Sequence, residues 1–241
     1  MFVIRDVIKR GMDHKIYCED SSLSVIVDEK FAIIAAFDGC STGVKSHFAS
    51  ELYAKLFKKC LDFLPKFDAN TNVCSIKSLL IEKFYYELLV AKVNLKLDFT
   101  EMLSTFVLAV IDTALNEGTA SISGDGLLFI DGIKALDIDC PENAPNYMIY
   151  QIENGMSFHT MYDTTITHHM FHFTKTVAVT SDGMHTFKSL TPFDKKEVFD
   201  FLIVDENLLS SPAMLKRKCT MLENKGIIHT DDLTIVRLIK Q

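Results

Sequence analysis

The chain predicts an α+β fold: one layered domain of antiparallel sheets spanning residues 1–241. Three observations carry that expectation. Strand-like runs arrive in groups instead of alternating singly with helices, which separates an antiparallel layered domain from a doubly wound parallel sheet. Two segments with a helical apolar stripe interrupt those runs. The composition is 48% hydrophobic with only 5 Pro and 10 Gly, which fits a packed core and not a disordered chain. No internal repeat, low-complexity tract or linker divides the 241 residues.

The elements follow in order. FVIRDVIKR at 2–10, LSVIVDE at 23–29 and FAIIAAF at 31–37 are short, rich in Val, Ile and Phe, and separated by polar turns, so they predict strands. Two helices follow, one with Phe48, Leu52, Leu56 and Cys60 on its inner face and one with Ile76, Leu80, Phe84 and Leu88. The polar break at Asp68–Asn72 supplies capping groups between them. Strand-like sequence returns at 102–112, 119–124, 127–131, 133–138, 148–153 and 169–181. Thr191-Pro192 predicts a helix start, with an N-cap hydroxyl and proline at the first helical position. A further helix is expected over about 211–223, stopping near Gly226, and LTIVRLI closes the chain as a strand.

Charge and cysteine usage narrow the function. A net charge of −7 argues against nucleic acid and anionic membranes as partners, because phosphate surfaces are met by basic faces. It suits cation binding. The six cysteines are scattered, with no C-x-x-C pair, and predict reduced thiols rather than a disulfide frame. MFVIRDVIKRG lacks the apolar core of a secretion signal, and no run reaches the roughly 20 residues needed to span a bilayer. A soluble, cytoplasmic protein is the expectation.

The chemistry points to aspartates at strand ends. Apolar runs end in Asp38-Gly39, Asp125-Gly126 and Asp182-Gly183, and Asp231-Asp232 precedes the last one. Carboxylates held there can converge from distant parts of the chain, and hard divalent cations take oxygen ligands of that kind. Asp-Gly is also a common hairpin turn. Asp131-Gly132, between LLFI and IKAL, fits that reading, with its carboxylate facing solvent. Asp38 and Asp182 do not, since small or polar residues and then helix-like sequence follow each.

The ordered set Lys15-x-x-x-Glu19-Asp20, Asp38-Gly39, Ser104-Thr105, Gly124-Asp125, Ser181-Asp182-Gly183 and Asp231-Asp232-Leu233-Thr234 resembles the metal-dependent PPM, or PP2C-type, Ser/Thr protein phosphatases, across nearly the whole chain. That resemblance implies an αββα sandwich, two antiparallel sheets face to face with helices outside. It implies two Mn²⁺ or Mg²⁺ ions in a cleft at one end, bridged by Asp38, with the Gly39 carbonyl completing one shell. Asp182 and Asp231 would ligate the second ion, and Glu19 and Asp20 would act near the first, partly through water. Asp125 falls where some members hold a third, weaker metal. Lys15 stands at the phosphate-binding position, where the usual residue is Arg. The activity implied is hydrolysis of phosphoserine or phosphothreonine on a protein substrate by metal-activated water.

Departures from the pattern leave a non-catalytic binding module on the same fold as the alternative. Lysine cannot make the bidentate phosphate contact of arginine. Cys40 occupies the position of an occasional general-acid His, Gly126-Leu127 replaces Ser-Arg, and Asp232 replaces Asn, adding negative charge behind the site. Other chemistries are weaker. His168 and His172 share a face of a strand but lie about 13 Å apart there, too far for a zinc pair. Cys40 has no His placed to activate it, and Ser104-Thr105 is expected to pack. Lys195-Lys196-Glu197 and Lys216-Arg217-Lys218 read as solvated faces.

Overall fold

The computed structural model describes residues 1–43, 45–65, 71–138, 140 and 145–241. It begins with β1 (Phe2–Lys9), β2 (Asp20–Val27) and β3 (Phe31–Gly39), followed by helices α1 (Ser46–Cys60) and α2 (Val73–Leu95). Then come β4 (Ser104–Asp112), β5 (Glu117–Ser123), β6 (Gly126–Ile130) and β7 (Ile133–Ile138). Helices α3 (Met148–Glu153) and α4 (Phe158–Thr164) precede β8 (Thr167–His172) and β9 (Thr176–Thr180). The chain ends with β10 (Phe187–Ser189), α5 (Lys195–Phe199), α6 (Met214–Asn224), β11 (Ile227–His229) and β12 (Leu233–Lys240).

Two antiparallel five-stranded sheets result, ordered β2-β3-β4-β5-β8 and β1-β12-β9-β6-β7. The expected αββα sandwich is what forms. FAIIAAF shows why an unbroken apolar run is needed at its centre. Phe31, Ile33, Ala35 and Phe37 face the core under α1 and α2, while Ala32, Ile34 and Ala36 face the other sheet. A strand buried on both faces cannot alternate with polar residues. The facing sheet contributes Leu128, Val177, Val179, Val236 and Leu238 to the same layer. A third core joins that sheet to α5 and α6 through Leu127, Ala178, Ile235, Val198 and Leu215.

Several expectations shift in detail. The inner stripe of α1 is Ala49, Tyr53, Phe57 and Cys60, each at most 1% exposed, one residue on from the stripe read in the sequence. The rotation places Phe57 in a stack with Phe84 at 4.0 Å and against Phe37 and Phe106. The stripe of α2 is as expected, and Asn72 caps it by accepting from the Ser75 amide at 3.0 Å. The remainder of the polar break, Asp68 to Asn70, lies outside the described residues.

Residues 148–153 are a helix and not a strand: Met148, Ile149 and Ile152 are the buried positions, a helical spacing. The run 169–181 is two strands in two different sheets, broken at Thr174-Lys175. The helix expected from Thr191-Pro192 begins at Lys195, because Asp194 caps it by accepting from the Lys196 amide at 2.8 Å. The helix expected over 211–223 is α6, and Gly226 ends it with φ of 76°.

Asp131-Gly132 forms the expected β6–β7 turn with positive φ at both residues. Its carboxylate does not simply face solvent. It accepts from the Thr174, Lys175 and Thr176 amides at 2.7, 2.7 and 3.0 Å, pinning the crossing between the sheets.

Candidate active site

The sandwich has an open end where the inter-sheet core runs out, and its alternation aims a carboxylate there. Ala32, Ile34 and Ala36 face the opposite sheet, so the next residue on that face is Asp38. In the β2–β3 ladder Asp20 pairs directly across from Asp38, and Thr105 of β4 pairs from the other side. On the facing sheet, β9 runs into Ser181 and then Asp182, and β12 is entered through Asp231 and Asp232. Gly183 is required by close approach: a Cβ there would lie 1.8 Å from the Asp232 carbonyl oxygen.

A cleft at this end is lined by Asp38, Gly39, Asp125, Asp182 and Asp231, with Cys40, Ser41, Thr42, Thr105 and Tyr147 completing the wall. Five of the seven residues expected around metal thus border one cavity. The other two adjoin it. Asp20 is 5% exposed, and its Oδ2 accepts from Ser181 Oγ at 2.8 Å. Glu19 is held by the hydroxyls of Ser41 and Ser46 at 2.8 and 2.5 Å. Lys15 is set apart. It is exposed and lines a neighbouring depression with His14, Tyr17, Glu19 and Ser41. Arg10 donates to the Lys15 carbonyl at 3.1 Å.

The electrostatics follow from crowding. Burial, and then the charges of Asp20, Asp182, Asp231 and Asp125, hold Asp38 well above the usual carboxylate range. Burial likewise raises Asp20, against the Ser181 hydrogen bond. Asp231 is raised by burial and by Asp182. Asp182 Oδ1 is buried without a hydrogen-bond partner among the described residues. Like charges opposed across a ladder destabilise it, and all-oxygen donors of this kind suit a hard divalent cation. Among the described residues no three His, Cys, Asp or Glu side chains are already gathered as a metal-holding group; the carboxylates line the cleft without meeting at a point. The donor chemistry fits Mn²⁺ or Mg²⁺.

Two participants escaped the sequence reading. His14 has its Nε2 3.1 Å from Asp231 Oδ1 and its Nδ1 2.8 Å from Asp232 Oδ2. Burial pulls its pKa down, but the charges of Asp232, Glu19 and Asp231 outweigh this and hold it above the ordinary value. Tyr147, 5% exposed, walls the cleft beside Cys40, and burial keeps its phenol protonated. His14 adjoins Lys15 in sequence, which says nothing of its role. Tyr147 is 22 residues beyond Asp125, and nothing local marked it.

His168 shows no sign of a zinc site. It lies on edge strand β8, with Nδ1 2.8 Å from Ser121 Oγ and 3.3 Å from Lys77 Nζ. Cys18, Cys40, Cys60, Cys74 and Cys219 form no disulfide.

Comparison with solved structures identifies the class: the chain has the fold of the PP2C phosphatases. A Streptococcus agalactiae serine/threonine phosphatase superposes with a TM-score of 0.67 at 12% identity, over 100% of both chains. The PstP catalytic domain, solved in complex with two manganese ions, gives 0.60 at 16% identity over 99% of this chain and 97% of its own. The PP2C domain of SpoIIE from Bacillus subtilis gives 0.60 at 14% identity, and this chain spans 63% of that one. No family profile and no curated protein matches the sequence.

Proposed function

We propose that residues 1–241 form one PP2C-type catalytic domain, a metal-dependent phosphoprotein phosphatase acting on phosphoserine or phosphothreonine. The observation that carries this is that Asp38, Asp125, Asp182 and Asp231, from four separate segments, line one cleft. Asp38, the Gly39 carbonyl, Asp182 and Asp231 would hold two Mn²⁺ or Mg²⁺ ions, with Glu19 and Asp20 behind them and Asp125 at a third, weaker position. When bound, such ions lower the pKa of a shared water and offset charge on the phosphoryl oxygens.

The chain's own contribution is placement. The β2–β3–β4 ladder fixes Asp38 between Asp20 and Thr105. Ser41 and Ser46 orient Glu19. Thr42 and Tyr147 add neutral hydroxyls to the cleft lining. The substrate is a phosphorylated protein, and the compartment is the cytoplasm. Among the described residues no helix is long and apolar enough to cross a membrane.

One observation favours the second reading, a non-catalytic binding module. Lys15 lies in the adjoining depression, so the cleft itself has no lysine or arginine for phosphate among its described lining residues. Mn²⁺-dependent hydrolysis of a phosphothreonine peptide decides, with Asp38→Ala and Asp182→Ala as controls. Turnover that requires metal and disappears in both variants supports the enzyme. A folded protein that binds Mn²⁺ but leaves phosphopeptides intact supports the module.

A further inference from the structure

The loop between β1 and β2 is pinned to the start of β12 by one buried carboxylate. Asp232 is 2% exposed. Its Oδ1 accepts from the Gly11 amide at 2.6 Å, and its Oδ2 accepts from the Glu19 amide and lies 2.8 Å from His14 Nδ1. The opposite ring nitrogen of His14 is the one that lies 3.1 Å from Asp231. One imidazole therefore spans two consecutive carboxylates. The fit is close: a Cβ on Gly11 would come within 2.3 Å of the Asp231 carbonyl carbon. The Met12 and Asp13 amides donate to the carbonyls of His229 and Thr230 at 3.2 and 2.9 Å.

We propose that His14 and Asp232 are a positioning pair for Asp231: Asp232 sets the imidazole, and the imidazole holds one Asp231 oxygen so that the other is left for the cleft. The inference rests on the metal-centre reading above and deepens it. A carboxylate on a single-bonded stem turns freely unless something holds one oxygen. Here the Asp232 amide donates to Asp231 Oδ1 at 2.8 Å, and the imidazole is the second hold on that same oxygen, added from the side chain. Partners that hold a ligating group from behind are worth roughly 10–100-fold in metal affinity. Asp232 suits the task as a carboxylate. It meets three donors at once, which offsets the desolvation of its charge. Asparagine offers one acceptor oxygen and turns an NH₂ towards donors. The aspartate that departs from the Asp-Asn pattern is thereby matched to His14.

A clasp that only ties the loop to the strand predicts something different: lower stability with unchanged metal affinity. The test is a calorimetric Mn²⁺ titration of the full chain as wild type, His14→Ala, His14→Gln, Asp232→Asn and the His14→Ala/Asp232→Asn double variant. A thermal melt of each without metal accompanies it. We expect each of His14→Ala and Asp232→Asn to weaken Mn²⁺ by about 10–100-fold. The double variant should be little worse than the weaker single one, since coupled partners are not additive. His14→Gln, which keeps a neutral NH₂ donor, should recover part of the affinity. If His14→Ala does not fold, His14→Gln against Asp232→Asn carries the comparison. Variants with wild-type affinity and lowered melting temperatures would overturn the pairing alone. Wild-type protein that takes up no Mn²⁺ would overturn the metal centre, and the pairing with it.

Discussion

Asp38 and Asp131 each end an apolar strand and each precede a glycine, yet the fold treats them oppositely. Asp131 turns into a ring of donors: three backbone amides and the Thr174 hydroxyl, at 2.7–3.0 Å. Burial alone would raise its pKa, but those hydrogen bonds outweigh it and hold the group below the ordinary range. Asp38 turns into a ring of acceptors, opposite Asp20 and beside Asp125, Asp182 and Asp231, and is held high. One carboxylate is satisfied by its own chain. The other is surrounded by further carboxylates, its cross-strand neighbour Asp20 among them. The contrast separates a structural aspartate from a functional one more sharply than the dipeptide does.

Removing the two carboxylates should therefore have opposite consequences. The largest effect is expected for Asp38→Ala. Metal-dependent hydrolysis should fall by at least about a thousandfold, while the metal-free protein melts at a higher temperature because a crowded, desolvated carboxyl is gone. Loss of activity together with a lower apo melting temperature would mean Asp38 is structural after all. Next comes Asp131→Ala. Loss of charge-assisted hydrogen bonds should destabilise the fold by about 2–3 kcal/mol, read in urea titrations, with the per-molecule turnover of folded protein unchanged.

A smaller effect is expected from pH. Asp20 and Asp38 bind protons more tightly folded than unfolded, so their contribution is full below about pH 4 and lost as pH rises through their folded values, about 8 for Asp20. The melting temperature of metal-free protein should fall across that window, and Mn²⁺ should abolish the fall. Asp131 runs the other way, its contribution present above about pH 4 and lost below it. Melting curves that are flat from pH 5 to 8 without metal would contradict the crowding argument. The smallest effect is expected at Lys15, exposed and outside the cleft. Lys15→Ala should change KM for a phosphopeptide by less than about threefold, within the range of exposed ionic contacts, and leave Mn²⁺ affinity alone. A collapse of kcat would return Lys15 to the phosphate.

Much of this was legible in order along the chain. The β3 run is apolar at every position because it is buried on both faces, and a sequence shows that directly. The strand-end aspartates stood out because charge after such a run is unusual. Elements that depend on distant neighbours were harder. Residues 148–153 carry apolar side chains compatible with either period over so short a stretch. The strands β8 and β9 read as one because nothing local announces a change of sheet; the change is enforced by Asp131, more than forty residues earlier. His14 carries no local signal of its role, because the two carboxylates that engage it, Asp231 and Asp232, lie more than two hundred residues further on.

By itself, then, the sequence determined the α+β class, most of the strands, the α2 stripe and the aspartates worth watching. These rest on hydrophobic periodicity and strand-end chemistry, which act within ten residues or so. Tertiary structure alone decided which Asp-Gly is a satisfied turn and which opens on a cleft. It also decided that Lys15 stands outside and that His14 bridges Asp231 to Asp232. Those outcomes depend on charges and donors brought from far along the chain to within hydrogen-bonding distance. At that range burial and pairing set the energy, and sequence neighbours no longer do.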